Sequence, residues 1–154
     1  MVACPVHVWR LGVILVTGVC LGLIWNGLSG RGLALSRNVL LQEGDEVIDA
    51  VEAKIRLERG ALFLDARPEV FHGMSHISGA LSLPEDDFEP AFGRLERRLR
   101  AQLDIVVYCS GFGCESSHIV ARQLRERDIH AAILHDGLPA WEDAGYPLQE
   151  GEQP

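Results

Sequence analysis

A short apolar run that ends in a cysteine constrains the fold of this chain most. Residues 104–109 read Asp-Ile-Val-Val-Tyr-Cys, and the apolar side chains follow one another without alternation. A run of this kind is typical of a strand that is buried on both faces of a parallel sheet. Beyond Ser117 the apolar residues recur at helical spacing, so this region predicts a strand that turns directly into a helix.

The other segments predict strands and helices in alternation. Further strands are predicted over residues 61–65, 80–83 and 131–134, and helices over 45–59, 92–103, 117–127 and 138–144. Val51 and Leu103 belong to the predicted inner faces of the first two helices, and Ser116 and Ser117 are candidate N-caps of the third. This alternation predicts an α/β domain of three layers, with a mostly parallel central sheet of about five strands flanked by helices.

The cysteine at the end of the run is the leading candidate for a functional residue. Ligands in open α/β folds bind at the carboxyl ends of parallel strands, where Cys109 stands. The following glycines let backbone N–H groups converge, and these groups with the positive end of a helix favour an anion such as a thiolate. We therefore predict a reactive thiol; the alternative is a buried cysteine that acts as a small apolar side chain.

A second feature lies near the N-terminus, where residues 11–25 carry no charged side chain. Extended to residue 28, the segment has the length that crosses a bilayer, so we predict a transmembrane helix over 11–28. A cleaved signal sequence is the alternative, with Ala34 and Ser36 as a distant cleavage motif. The predicted organisation is an N-terminal tail (1–10), the transmembrane helix (11–28), a linker (29–42) and one domain (43–150).

Charge restricts the partners that the chain can bind. The net charge of −8 argues against nucleic acid, which requires a basic surface. The apolar segment predicts a single-pass membrane protein and leaves room for a membrane-protein partner. Basic residues flank the segment on both sides, so its orientation is nearly undetermined, with a slight preference for a cytoplasmic domain.

The order of short motifs resembles that of the rhodanese-like sulfurtransferase domain over roughly residues 43–149. The motifs are Leu64-Asp-Ala-Arg-Pro68, His76-Ile-Ser-Gly-Ala80, Val106-Val-Tyr-Cys109, Leu134-His-Asp-Gly137 and Trp141-Glu-Asp-Ala-Gly-Tyr-Pro147. The resemblance implies that Cys109 accepts a sulfane sulfur as a persulfide and passes it to a nucleophile. It implies a small sulfur donor and a thiol acceptor as partners, and no cofactor.

The resemblance also assigns roles around Cys109. Backbone donors to the persulfide would come from the loop residues Ser110, Gly111, Phe112, Gly113, Glu115 and Ser116. Asp65, Arg67 and His76 match supporting positions; a structural role is expected for all three, and contact with substrate is the alternative for Asp65 and Arg67. Because the loop contains Glu115 and no basic residue, thiosulfate is doubtful as the natural donor.

A second thiol in the loop, Cys114, leaves the mechanism open. Cys114 could resolve a persulfide or sulfenic acid on Cys109 as a disulfide, or it could begin the following helix and pack inward. Two thiols alone do not make a zinc site, so no metal is predicted. We predict a sulfurtransferase that carries sulfur on Cys109; the alternative is a non-catalytic redox-sensing or interaction module that uses the Cys109 and Cys114 pair at the membrane.

Overall fold

The computed structural model describes residues 5–28, 45–111 and 113–151 of the 154-residue chain. The chain divides into two units, residues 1–39 and 40–154. The first unit contains helix α1 (Pro5–Leu28). Across the described residues, no helix has both the length and the apolar character required to cross a membrane, so the predicted transmembrane helix over 11–28 is not supported. The predicted linker over 29–42 lies outside the described residues.

The second unit alternates strands with helices. Its elements are β1 (Glu46–Ile48), α2 (Ala50–Glu58), β2 (Leu62–Asp65), α3 (Glu69–Met74), β3 (His76–Ile77), β4 (Leu81–Ser82), α4 (Phe88–Arg100), β5 (Ile105–Tyr108), α5 (Ser116–Arg125), β6 (Ala132–Leu134), α6 (Gly137–Asp143) and β7 (Leu148–Gln149). Five strands form a parallel sheet in the order β1-β6-β5-β2-β4. The predicted α/β fold with a five-stranded, mostly parallel sheet is thus confirmed, and the strand before Cys109 is its middle strand.

Helices cover both faces of this sheet. Side chains alternate along a strand, so Ile105 and Val107 of β5 face one side while Val106 and Tyr108 face the other. Helices α4 and α5 pack on the first face, and α2 and α6 pack on the second. Burial on both sides explains why the β5 sequence is continuously apolar.

The first predicted helix begins too early. Residues 46–48 form β1, which pairs in parallel with β6 at the edge of the sheet, instead of extending the helix. Asp49 then caps α2, because its carboxylate accepts a hydrogen bond from the amide of Glu52 at 2.8 Å. Helix α2 buries Ala53, whereas Val51 is exposed, so the prediction that Val51 faces the core is wrong.

Three other local predictions differ from the structure. Helix α4 ends at Arg100, so Leu103 is fully exposed and lies beyond the apolar face that was assigned to it. Glu115, rather than Ser116 or Ser117, occupies the N-cap of α5, because the helix already begins at Ser116. The two-residue strands β3 and β7 form a separate antiparallel pair that was not predicted; neither is long enough to give a periodic pattern.

Candidate functional site

Cys109 is the first residue after β5, at the carboxyl end of the middle strand, and only 3% of its surface is exposed. Its carbonyl oxygen accepts a hydrogen bond from the amide of Leu138 at 2.9 Å. This bond joins the start of the loop to helix α6. The structure therefore places Cys109 at the strand end where the sequence predicted it, with its carbonyl group held by the first turn of α6.

Gly137 shapes this site and was not recognised as a site residue from the sequence. Its φ angle of +58° lies in the left-handed region, and a Cβ atom there would collide with the carbonyl oxygen of Cys109 and lie 2.8 Å from the amide nitrogen of Gly111. Glycine is required for both reasons. The signal in the sequence was the His-Asp-Gly segment after the β6 strand, which was used only as one of the motifs of the family resemblance.

The loop after Cys109 reverses the chain. Gly111 and Gly113 have φ angles of +136° and +80°, and the amide of Cys114 donates to the carbonyl oxygen of Gly111 at 3.1 Å. The amide of Cys114 is thus used inside the loop. The predicted donor Phe112 lies outside the described residues. The glycines allow the tight reversal that brings residue 114 back towards residue 109.

The reversal brings the two loop cysteines together in a disulfide. The Cα atoms of Cys109 and Cys114 are 6.3 Å apart, within the range of disulfides, and their sulfur atoms are bonded. Cys109 is buried, whereas Cys114 is half-buried, and the hydroxyl oxygen of Ser110 lies 3.9 Å from Sγ of Cys109. Of the two arrangements predicted for Cys114, the structure has the one that pairs it with Cys109.

Asp65, at the end of β2, organises the neighbouring strand end. Its carboxylate is fully buried and accepts two hydrogen bonds from the Arg67 guanidinium, at 2.9 and 2.6 Å. It also accepts from the Tyr108 hydroxyl at 3.0 Å and lies 3.2 Å from Nδ1 of His72. Burial alone would raise the pKa of Asp65, but the hydrogen bonds from Arg67 and His72 outweigh it and hold the pKa below the ordinary value of 3.8.

The hydrogen-bond network around Asp65 includes Tyr108, the residue that precedes Cys109. Burial and the negative charge of Asp65 raise the pKa of Tyr108, so its hydroxyl stays protonated and donates to Asp65. The same hydroxyl accepts from the amide of Ile77 at 3.2 Å. Asp65 and Tyr108 also face each other in the β2–β5 register. The network thus fixes the end of β5, on which Cys109 stands.

Arg67 and His76 make contacts that hold the chain around α3. The Arg67 guanidinium also donates to the carbonyl oxygen of Ser75 at 2.6 Å. Nδ1 of His76 is 2.8 Å from the carbonyl oxygen of His72, and the two imidazole rings stack at 3.9 Å. Every one of these contacts is internal to the fold and fits the structural role that the sequence predicted for Arg67 and His76. His72, which was not predicted as a site residue, is buried among them.

A second buried carboxylate fixes the helix that follows the loop. Asp45 accepts from Arg125 at 2.9 Å and lies 2.9 Å from Nδ1 of His118, and both partners belong to α5. The Asp45 side chain is 1% exposed. Since Asp45 lies more than 70 residues before its partners, sequence patterns gave no signal for this contact.

Comparison with known proteins identifies the fold family. Residues 49–144 match the family model of the rhodanese-like domain. This chain belongs to the rhodanese-like family. The resemblance read from the motif order is therefore confirmed for the domain, and membership supports a sulfur-related function at the level of the family.

Several solved structures share the fold of this domain. The crystal structure of the Alr3790 protein from Anabaena sp. is 31% identical, with a TM-score of 0.58 over 68% of this chain and 92% of that chain. The thiosulfate sulfurtransferase from Pseudomonas aeruginosa is 25% identical, with a TM-score of 0.58, over 71% of this chain and 21% of that chain. A protein of Bacillus halodurans, BH2092, shares the fold at 18% identity and a TM-score of 0.62, over 69% of this chain and 77% of that chain.

One curated relative is named as a transcriptional regulator rather than as a sulfurtransferase. The HTH-type transcriptional regulator Rv0324 of Mycobacterium tuberculosis is 29% identical over 120 residues, which make up 77% of this chain and 51% of the regulator. The chain thus spans about half the length of this relative.

Proposed function

We propose that this rhodanese-like protein is a sulfurtransferase that carries sulfane sulfur as a persulfide on Cys109 and passes it to a thiol. The position of Cys109 carries the proposal: it ends the middle strand of the sheet and opens a glycine loop that leads into α5. Ligands of open α/β folds bind at this edge. Family membership supports the same chemistry.

The transfer follows from thiol chemistry. The Cys109 thiolate attacks the outer sulfur of the donor; a bond forms between Sγ and that sulfur, and the bond within the donor breaks and leaves with its electron pair. The product, Cys–S–S⁻, is an anion. The positive end of the ten-residue helix α5 stabilises a negative charge here without a basic side chain.

The loop favours a donor other than thiosulfate. Residues 109–117 include no lysine or arginine, and the Glu115 side chain is exposed. A dianionic donor would meet the negative charge of Glu115 with no cation in the loop to offset it. An alkyl persulfide, whose persulfide group carries a single negative charge, fits this loop better, with a low-molecular-weight or protein thiol as acceptor.

Uptake of sulfur by Cys109 tests the proposal. The reduced full-length Cys114→Ser variant, which lacks the second loop thiol, is incubated with inorganic polysulfide or glutathione persulfide, then weighed intact beside the Cys109→Ser/Cys114→Ser double variant. We expect Cys114→Ser to retain one sulfur more than the double variant. The matched control is Cys20→Ser/Cys114→Ser, because Cys20 is exposed in the separate unit and its removal should leave the sulfur on Cys109. Equal uptake by Cys114→Ser and by the double variant would refute the proposal.

A redox-sensing module is the second candidate function. The Cys109–Cys114 disulfide and the relative described as a transcriptional regulator favour it. In that case mild oxidation of the reduced chain forms the disulfide, but sulfane sulfur is neither taken up nor passed to a thiol. Disulfide mapping after oxidation, combined with a turnover assay with polysulfide and a thiol, separates the two functions.

A further inference from the structure

The loop after β5 brings the half-buried Cys114 within bonding distance of Cys109, yet sulfur transfer as proposed above uses Cys109 alone. We propose that Cys114 attacks the Cys109 persulfide and releases hydrosulfide, so that the domain acts as a persulfide reductase. This inference rests on the proposed persulfide at Cys109. It assigns to Cys114 the role of an internal acceptor.

The loop geometry provides the reach for this attack. The Cα atoms of the two cysteines are 6.3 Å apart across five positions, and the Cys114 amide is bonded back to Gly111. Both loop glycines that are described have positive φ angles, which permit the reversal. The bonded sulfur pair represents the product of the attack, with the extra sulfur gone.

The step balances in atoms and electrons. The Cys114 thiolate donates an electron pair to Sγ of Cys109 and forms the S–S bond between the two residues. The attacked form is the protonated persulfide, Cys109–Sγ–SH: the bond from Sγ to the outer sulfur breaks, and the outer sulfur keeps its proton and leaves with that electron pair as hydrosulfide. The two cysteines are oxidised to a disulfide, and the sulfane sulfur is reduced to sulfide.

An internal thiol has a kinetic advantage over an external one. A short loop gives its two ends an effective concentration of roughly millimolar or more, and a thiol held near its target exceeds that value. Cys109 is 3% exposed, so a bulky external thiol reaches its Sγ poorly. Cys114 needs no access from solvent, because it already lies in the loop.

The half-buried sulfur of Cys114 also provides the way back to the reduced state. An external thiol attacks Sγ of Cys114, and the Cys109 thiolate leaves towards the N-terminus of α5, where a negative charge is favoured. A second thiol then attacks the external sulfur of the mixed disulfide and frees Cys114. The cycle consumes one donor persulfide and two thiols, or one dithiol, and yields the thiol of the donor, sulfide and a disulfide.

A single-turnover experiment on the full chain tests this inference. Reduced wild type, Cys114→Ser and the matched control Cys20→Ser each react with one equivalent of inorganic polysulfide and no other thiol. Free sulfide is measured over time, and the protein is weighed intact. We expect wild type and Cys20→Ser to release one sulfide per chain in addition to any sulfide that the polysulfide itself releases. Both chains should end with the Cys109–Cys114 disulfide. Cys114→Ser should keep the added sulfur and release sulfide at least about a hundredfold more slowly.

The outcomes separate this inference from the sulfur-carrier proposal. If wild type keeps the added sulfur and forms no disulfide, Cys114 is not the acceptor, whatever the variant does. Equal rates of release from wild type and Cys114→Ser would overturn the inference as well, while leaving Cys109 as the carrier. If no chain takes up sulfur or releases sulfide, the carrier proposal itself fails.

Discussion

At the scale of single residues, the backbone around Cys109 depends on Gly137. Its left-handed φ angle and its approach to the Cys109 carbonyl leave no space for a side chain. Gly137 therefore matters through its backbone, which lies against the cysteine, and the amide of the next residue, Leu138, donates to the Cys109 carbonyl oxygen.

Replacing Gly137 with alanine should destabilise the domain. We expect Gly137→Ala to lower the free energy of unfolding by about 3 kcal/mol, since backbone strain and a collision with Cys109 add together. Gly79→Ala is the matched control, because Gly79 has a φ angle of +80° but open space around its Cβ position, and should cost about 1 kcal/mol. Urea unfolding measures both; equal losses would show that the contact with Cys109 does not matter.

Asp65 should make stability depend on acid pH. Its pKa in the folded chain lies below the ordinary value of 3.8, so the folded state binds fewer protons than the unfolded state in this range. The stabilisation is complete above about pH 5 and is lost as pH falls through 4 and below. Asp65→Asn should be less stable at pH 7 and lose less stability between pH 5 and 3.

Urea unfolding at a series of pH values tests this expectation. Asp86→Asn is the control, because Asp86 is exposed and its removal should leave the wild-type pH dependence intact. If the free energy of unfolding of Asp65→Asn falls below pH 5 as steeply as that of the wild type, other carboxylates cause the acid sensitivity.

At the scale of elements, helix α5 is positioned by a carboxylate from outside the strand–loop–helix unit. We expect Asp45→Ala to destabilise the domain by about 3 kcal/mol, because it leaves Arg125 and His118 without their buried partner. Glu46→Ala is the neighbouring control: the Glu46 carboxylate, which pairs with Arg56, is 60% exposed, so its loss should cost less than about 1 kcal/mol. Thermal unfolding compares the two, and a similar effect for both would contradict the role of Asp45.

The boundaries of the helices and strands show which structural features the sequence patterns do not predict. The β5–loop–α5 unit was predictable from the local sequence, because a strand buried on both faces is an unbroken apolar run and the loop after it contains glycines. The β1 strand was not, because Glu46, Val47 and Ile48 also fit a helical pattern and become a strand only by pairing with β6. Leu103 fits the spacing of α4 but follows its last residue, so it stays in solvent.

At the scale of the whole molecule, the state of the loop thiols should affect global stability. The disulfide closes a short loop, and restricting that loop in the unfolded chain predicts that the oxidised protein is more stable than the reduced one by about 2 kcal/mol. Thermal unfolding with and without a reductant measures this difference. In Cys114→Ser the reductant should have no effect; a wild type that is insensitive to reductant would contradict the expectation.

The sequence by itself determined the α/β class, the order of the motifs, the family and the candidate Cys109, because each of these leaves a local pattern of burial, glycine and charge. Only the tertiary structure decided that Cys114 lies against Cys109, that Asp65 binds Tyr108 across two strands, and that Asp45 holds α5. It also left the predicted membrane helix unsupported. For Asp65 and Asp45 the physical reason is distance along the chain, because contacts between remote residues depend on how the elements pack and no local spacing predicts them. Cys114 is only five residues from Cys109, but the glycines between them allow more than one loop conformation, so the spacing alone does not pair the two thiols.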